Sequence, residues 1–591
     1  MRPFLSGLAW VGLIGSSIAS KTTTKVCPIQ GPAFPVPTGL RSDEAFQAAM
    51  KSFDNDLTQA LETGTSAFGS AAFNTSTMSI GMFSVSDEAL LYERHYAEPS
   101  LRTGNVGTKQ PDADSVYRLG SIGKLLTAYT FMIREGGGHL NDPITKYVPE
   151  LARAASTTAS PNGVTPKWDE ITLGQLLSHM SGLTEDFGIN EQTNQSGLPP
   201  LQPNQIPQCD LFKPDGTFIP CRREEYLRGV IAEPAPFRSG DTPNYSNNAY
   251  EVLGLALANM TGSSLNNLFA KSVVDALGLQ HTSASVPNDT SNAVIPANET
   301  ISGWNSNPGV LSPAGSHFSS THDLATIGRS ILNSTLLAPA VTRRWMKPVA
   351  FTSSPNVALG APWEIFRTRA AGGRIIDMYT KNGGWGAYAT VLVLLPDFDV
   401  GFSILTASSA LVEMPVMVYM LSDMLSAAAL PALEDLARRQ AEARFAGHYA
   451  LSSTSAQHNQ NSSLTVSTDD QAGLRVTHWI SNGTDFLAQL AGGDEALVGG
   501  AYVDFRLYPN RLYVGDKQVG FTANWQTMPQ PVYAGPLDLN CISWGGLNAA
   551  THGNVGLAQF VFDVDPTKDV VVAVQPKALR VSLSRVDKAK A

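Results

Sequence analysis

Ser121 and Lys124 stand three residues apart in Tyr117-Arg118-Leu119-Gly120-Ser121-Ile122-Gly123-Lys124-Leu125-Leu126, where a strand-like run gives way to an apolar helical one. At that spacing both side chains lie on one face of the first helical turn. A helix start exposes unpaired N–H groups and the positive end of the helix dipole, so it can hold an oxyanion beside Ser121 and favour a neutral amine on Lys124. Such an amine can take the serine hydroxyl proton, the chemistry of an activated nucleophile. Alone the pair carries little weight, since a capped helix with a solvated lysine has the same two residues.

Two further groups could supply company. Tyr245-Ser246-Asn247 precedes an apolar helical run from Tyr250 to Thr261 and can present a phenol and an amide to one pocket. A phenol near two ammonium groups gives up its proton more readily. Lys381-Asn382-Gly383-Gly384 leads into strand-like runs at Thr390–Leu395 and Val400–Leu405, and glycines there let a substrate come close to the strand backbone. His179, at the end of an apolar run capped by Thr172 and ended by Gly182, is read as a structural histidine rather than a base. His317 and His322 lack the i, i+4 spacing and carboxylate partner of a helical zinc site. No metal or cofactor is expected.

These residues need elements to bring them together. Phe46, Ala49, Phe53, Leu57 and Leu61 recur at helical spacing up to Gly64, and Met78–Val85 with Ala89–Tyr96 read as a hairpin. The Ser121 helix should end at Gly136-Gly137-Gly138 and sit between sheet strands. Residues 189–222, rich in Pro, Asn and Gln, have the length of a lid or specificity loop. Helices from Met414 to Leu430 and from Pro431 to Phe445 should close the domain, because proline starts a helix but disfavours its interior. Beyond 446, short alternating runs such as Leu464-Thr465-Val466, Leu474-Arg475-Val476 and Val570–Val574 among Gly, Asn and Asp suggest an all-β appendage, a small barrel. The expected organisation is a signal peptide over 1–20, a catalytic domain over 21–445 and a β-rich domain over 446–591.

Composition narrows the setting. The chain has 591 residues, 43% hydrophobic and 16% charged, with a net charge of -10, which argues against a nucleic-acid or anionic-membrane partner, since both need a basic face. Arg2, an apolar stretch through Ile18 and the small residues Ala19-Ser20 read as a secretory signal, too short for a comfortable membrane span. Sequons at Asn74, Asn194, Asn259, Asn288, Asn298, Asn333, Asn461 and Asn482 suit a secreted glycoprotein. Asn244 also begins a sequon, but a glycan there would block a pocket lined by Tyr245, so it is expected to be unmodified. The four cysteines allow three pairings. Cys209 with Cys221 is the preferred local bridge, and Cys27 with Cys541 follows only by elimination.

In this order and at this spacing, Ser-x-x-Lys, Tyr-x-Asn and Lys-x-Gly resemble the signature of the serine β-lactamase and penicillin-binding-protein superfamily, in its class C-like branch. Leu176-Leu177-Ser178-His179-Met180-Ser181-Gly182-Leu183 and Tyr245–Tyr250 followed by Leu253-Gly254 extend the likeness over about residues 40–430. The resemblance implies an α/β (α+β) fold, an antiparallel sheet flanked by helices. It also implies roles: Ser121 as nucleophile, Lys124 as its base and Tyr245 as general acid and base. Asn247 would orient substrate, with Lys381, Asn382, Gly383 and Gly384 lining the third motif. Ser121 N–H and the N–H of Gly383 or Gly384 would form the oxyanion hole. Lys-Asn-Gly-Gly stands where lactamases usually carry Lys-Thr-Gly, so the hydroxyl that meets a β-lactam carboxylate is missing. The expectation is a secreted hydrolase of a small ester or amide. Its rivals are an acyltransferase with the same nucleophile and a non-catalytic binding scaffold.

Overall fold

The computed structural model describes residues 22–23, 26–156, 164–189, 196–213, 217–370, 372–409, 414–451, 461–493, 500–532, 535–537 and 541–586. The expected signal peptide, Asn194 and parts of the 189–222 segment lie outside the described residues. The chain forms two compact units. One comprises residues 36–371 and 375–437; the other joins the N-terminal residues through 35 to 372–374 and to everything from 438 onward.

In the larger unit an eight-stranded antiparallel sheet runs in the order Ala350–Phe351, Val357–Leu359, Glu364–Arg369, Ile375–Trp385, Tyr388–Leu395, Val400–Ser408, Ser76–Ser84, Tyr92–Tyr96. The hairpin expected near Met78–Tyr96 therefore pairs with the last long strand, Val400 opposite Ser84 and Ser408 opposite Ser76. Strand side chains alternate between faces, and both faces of this sheet are buried. Met78, Ile80, Met82, Val391, Val393, Phe402 and Ile404 enter one core, while Phe83, Leu392, Leu394, Leu405 and Ala407 enter the other.

Helix Glu44–Thr63 covers the first face, its start capped by Asp43 and its end turned at Gly64. Met417, Val418, Leu421, Leu425, Leu433 and Leu436 of helix Met414–Phe445 share that core. This is one helix rather than two: Pro431 sits inside it. An interior proline costs about 3 kcal/mol, and the buried leucines on either side offset that cost by continuing one apolar face. Part of the helix is apolar enough to cross a bilayer; its packing on the sheet accounts for that composition.

Helix Ile122–Glu135 lies in the second core, buried from Ile122 to Met132 and ended by Gly136. Around it pack Leu173–Leu177, Asn247–Thr261 and Thr321–Leu332. The Leu173–Leu177 helix has the capping box of Thr172 and Gln175 but stops at Ser178, leaving His179 outside it in a left-handed conformation with φ 59°.

The smaller unit is a closed antiparallel barrel. Ser463–Ser467, Gly447–Ala450, Leu583–Val586, Val570–Pro576, Gln559–Asp565, Gln518–Met528, Tyr502–Val514 and Leu474–Ser481 pair in that order. Leu474–Ser481 pairs back onto Ser463–Ser467, so the edge that an open sheet would leave is used up. Tyr449, Phe505, Phe521, Phe560 and Phe562 are among the side chains buried here. Cys27 is bonded to Cys541, and Cys27 also binds the side chains of Gln526 and Asn524, which ties the N-terminal lead to this unit.

Candidate active site

The turn that begins the Ser121 helix is pressed against the strand Ile375–Trp385. Gly120 has φ 56°, and a β-carbon there would lie 2.5 Å from the Gly384 nitrogen. A β-carbon on Gly383 would lie 2.0 Å from the Leu119 carbonyl oxygen and 2.8 Å from the Ser121 nitrogen. Only glycines permit this approach. Thr390 on the adjoining strand donates to the Leu119 oxygen at 2.7 Å and fixes the turn to the sheet. Ser121 is left half-buried at the helix start, beside the exposed backbone of Gly384.

Lys124, one turn on, is fully buried. Its Nζ donates to Ser121 Oγ at 3.0 Å, to the Ala314 carbonyl at 3.0 Å and to Asn247 Oδ1. It also lies 4.9 Å from the Tyr245 ring centre. Burial pushes the Lys124 pKa below the usual 10.5 and the charge of Lys381 adds to this, while Tyr245 and Asp186 oppose it. The result is an amine displaced toward the neutral form within hydrogen-bond reach of a serine hydroxyl.

Tyr245 sits between the two lysines, with Lys381 Nζ 5.3 Å from its ring centre. Its segment is held from below by His179. The two rings stack at 4.5 Å, the His179 carbonyl accepts from Asn244 N–H at 2.9 Å, and Nδ1 accepts from Ser246 N–H at 3.1 Å. Burial, and then the charges of Lys124 and Lys381, hold the His179 pKa well below 6.5. His179 is therefore a neutral clamp with no contact to Ser121 among those described. Ser246 caps the next helix by accepting from Ala249 N–H, and Asn247, its first residue, donates its amide to Asp186 at 2.7 Å.

Sequence reasoning missed Glu364. It reaches the third motif because it pairs with Thr380 across two strands. Its carboxylate accepts from Lys381 Nζ at 2.6 Å, from Asn382 Nδ2 at 2.7 Å and from Asn382 N–H at 3.2 Å. Since Asn382 N–H points to this side of the strand, alternation turns Gly384 N–H the same way. Nothing but the strand register relates Glu364 to Lys381 in the sequence.

The other sequence-derived residues are placed as follows. Cys209 is bonded to Cys221, and Phe218, inside that loop, meets the Trp385 ring edge-on at 5.8 Å. The described part of the 189–222 segment thus reaches the residue after Gly384. Asn244 donates its amide to the Leu183 carbonyl at 2.7 Å, which occupies the atom a glycan would need. Asn74, Asn259, Asn288, Asn298, Asn333, Asn461 and Asn482 are exposed. His317 is buried against Phe269, whereas His322 bonds Asp114. Among the described residues no three His, Cys, Asp or Glu side chains gather as metal ligands.

A family model described as "Beta-lactamase" matches residues 85–417, and one described as "Beta-lactamase-like-like, C-terminal domain" matches residues 437–587. A "Beta-lactamase-like protein" of Arthroderma benhamiae is 28% identical over 607 aligned residues, covering 97% of this chain and 98% of that one. A "Probable hydrolase clz13" of Cochliobolus lunatus is 25% identical, covering 94% and 91%. The "D-alanyl-D-alanine-carboxypeptidase/endopeptidase AmpH" of Escherichia coli is 25% identical over 54% of this chain and 76% of its own. A match over more than half of the chain, on the segment that carries Ser121, Tyr245 and Lys381, makes this protein a member of the beta-lactamase family of serine hydrolases.

Proposed function

We propose that this enzyme is secreted and hydrolyses a small ester or amide through an acyl-enzyme on Ser121. The observation that carries the reading is the buried Lys124 amine 3.0 Å from Ser121 Oγ. Lys124 takes the hydroxyl proton as Oγ attacks the substrate carbonyl carbon. The oxyanion forms between Ser121 N–H and Gly384 N–H, where fixed donors are typically worth about 2.7–4 kcal/mol each. Tyr245 gives its proton to the leaving alcohol or amine and recovers one from Lys124. Water then attacks the ester carbon, giving a proton to Tyr245 as Tyr245 passes its own to Lys124, and Oγ leaves with the proton that Lys124 has received. Asn247 orients the substrate, and Lys381, with Nζ 5.3 Å from the ring centre, places a positive charge beside Tyr245.

Secretion is supported by the two disulfides, bonds that persist in oxidising compartments. Amide cleavage is supported by the name of the carboxypeptidase relative, and β-lactam hydrolysis is disfavoured by Asn382 at the position of a hydroxyl residue. The test is steady-state turnover of p-nitrophenyl esters, D-alanyl amides and a chromogenic cephalosporin. Wild type should turn over at least one ester or amide and Ser121→Ala none; turnover retained by Ser121→Ala would overturn the reading.

A further inference from the structure

We infer that Glu364 sets the charge of the substrate: the site takes esters and amides that are uncharged or cationic beside the scissile carbonyl and disfavours those with a free carboxylate there. This rests on the proposed reading of Ser121 as nucleophile. Both lysines of the site are already engaged. Lys381, without exposure, is paired with Glu364 at 2.6 Å and donates to the Asn382 carbonyl at 2.9 Å. Lys124 Nζ is already bonded to Ser121, Asn247 and Ala314.

The third-motif asparagine is engaged as well. Its N–H and one amide hydrogen go to Glu364, and the amide nitrogen also donates to the Tyr419 hydroxyl. An incoming carboxylate at this strand would meet the Glu364 carboxylate, whose side chain is 16% exposed, in place of an ammonium or amide donor. Asp186 holds Asn247 within electrostatic reach of Lys124, and Glu185, next in the chain, is exposed and within the same reach. Glu185, Asp186 and Glu364 give the rim an acidic balance, and like charges brought together across a binding surface suppress the wrong partner. For a substrate carboxylate to bind Lys381 it would have to expel Glu364 from its ion pair and leave that partly buried charge with only the two Asn382 donors. A D-alanyl-D-alanine carboxypeptidase must accept a free terminal carboxylate, so the inference separates this chain from that activity and points to esters, or to amides blocked at the carboxyl end.

The test uses the full secreted chain and two fluorophosphonate probes with one reactive group and equal tails, one ending in a primary amide and the other in a carboxylate. The rate of Ser121 labelling is read by intact mass. The amide-ended probe should label wild type at least about tenfold faster, and Glu364→Gln should bring the two rates to within about threefold by accelerating the anionic probe. Equal or faster labelling of wild type by the carboxylate probe would overturn the inference while leaving the nucleophile intact. So would an unchanged ratio in Glu364→Gln. No labelling by either probe would instead sink the reading of Ser121 beneath it. Should Glu364→Gln fail to fold, the wild-type ratio decides.

Discussion

His179 lies against Tyr245 with the ring centres 4.5 Å apart and the planes at 28°, and its backbone and Nδ1 bind the residues on either side of that tyrosine. A histidine in this position cannot relay protons to Ser121; it fixes where the phenol stands. His179→Ala should therefore lower kcat by roughly 10- to 100-fold, as misplacement of a reacting group does, while Ser121 still accepts a fluorophosphonate. Loss of labelling in that variant would show that His179 serves the nucleophile itself.

The Lys124 pKa lies below the usual 10.5, first through burial. In the proposed mechanism the free amine is the base, so kcat/KM should rise with pH through a pKa lower than that of a free lysine. Lys124→Met should lose this limb together with nearly all activity. The same shift affects stability. Between the folded pKa and about 10.5 the unfolded chain binds a proton that the native state does not, so raising pH through that window stabilises the fold. Denaturant unfolding at pH 8 and pH 10 should show this gain in wild type and not in Lys124→Met.

Gly383→Ala would place a carbon 2.0 Å from the Leu119 oxygen and 2.8 Å from the Ser121 nitrogen. Strand and turn must separate, which would misalign the donors of the proposed oxyanion hole. A fall in kcat of about 10²-fold is expected, with a stability loss of about 1–3 kcal/mol from overpacking. Full activity in this variant would mean that the strand backbone takes no part in catalysis.

Cys209 and Cys221 close a loop with a sequence separation of 12. In the chain-entropy account such a bridge contributes about 2–3 kcal/mol. Replacing both by serine should lower the unfolding free energy by that amount. Because Phe218 in the same loop touches Trp385, KM should rise more than kcat falls.

The three motifs were legible in the sequence because each is local and each stands at the start or end of an element whose periodicity shows. Gly64, Thr172 and Gly136 mark helix ends that the structure also has. Glu364 was not legible, because strand register alone brings it to Lys381. His179 was discounted as a base on sound grounds, yet its left-handed backbone and its stacking on Tyr245 depend on tertiary contacts that spacing does not carry. Pro431 misled, since local propensity predicts a break where packing on the sheet sustains one helix. The barrel strands showed as alternating runs, but closure depends on the pairing of Ser463–Ser467 with Leu474–Ser481, which no run of residues announces.

The most direct test of the account is to quench a reaction with a turned-over ester or a fluorophosphonate and locate the adduct by peptide mass. The account predicts one adduct, on Ser121, formed in wild type, slowed severely in Lys124→Met and absent in Ser121→Ala. An adduct on another residue, or undiminished labelling without Lys124, would contradict it.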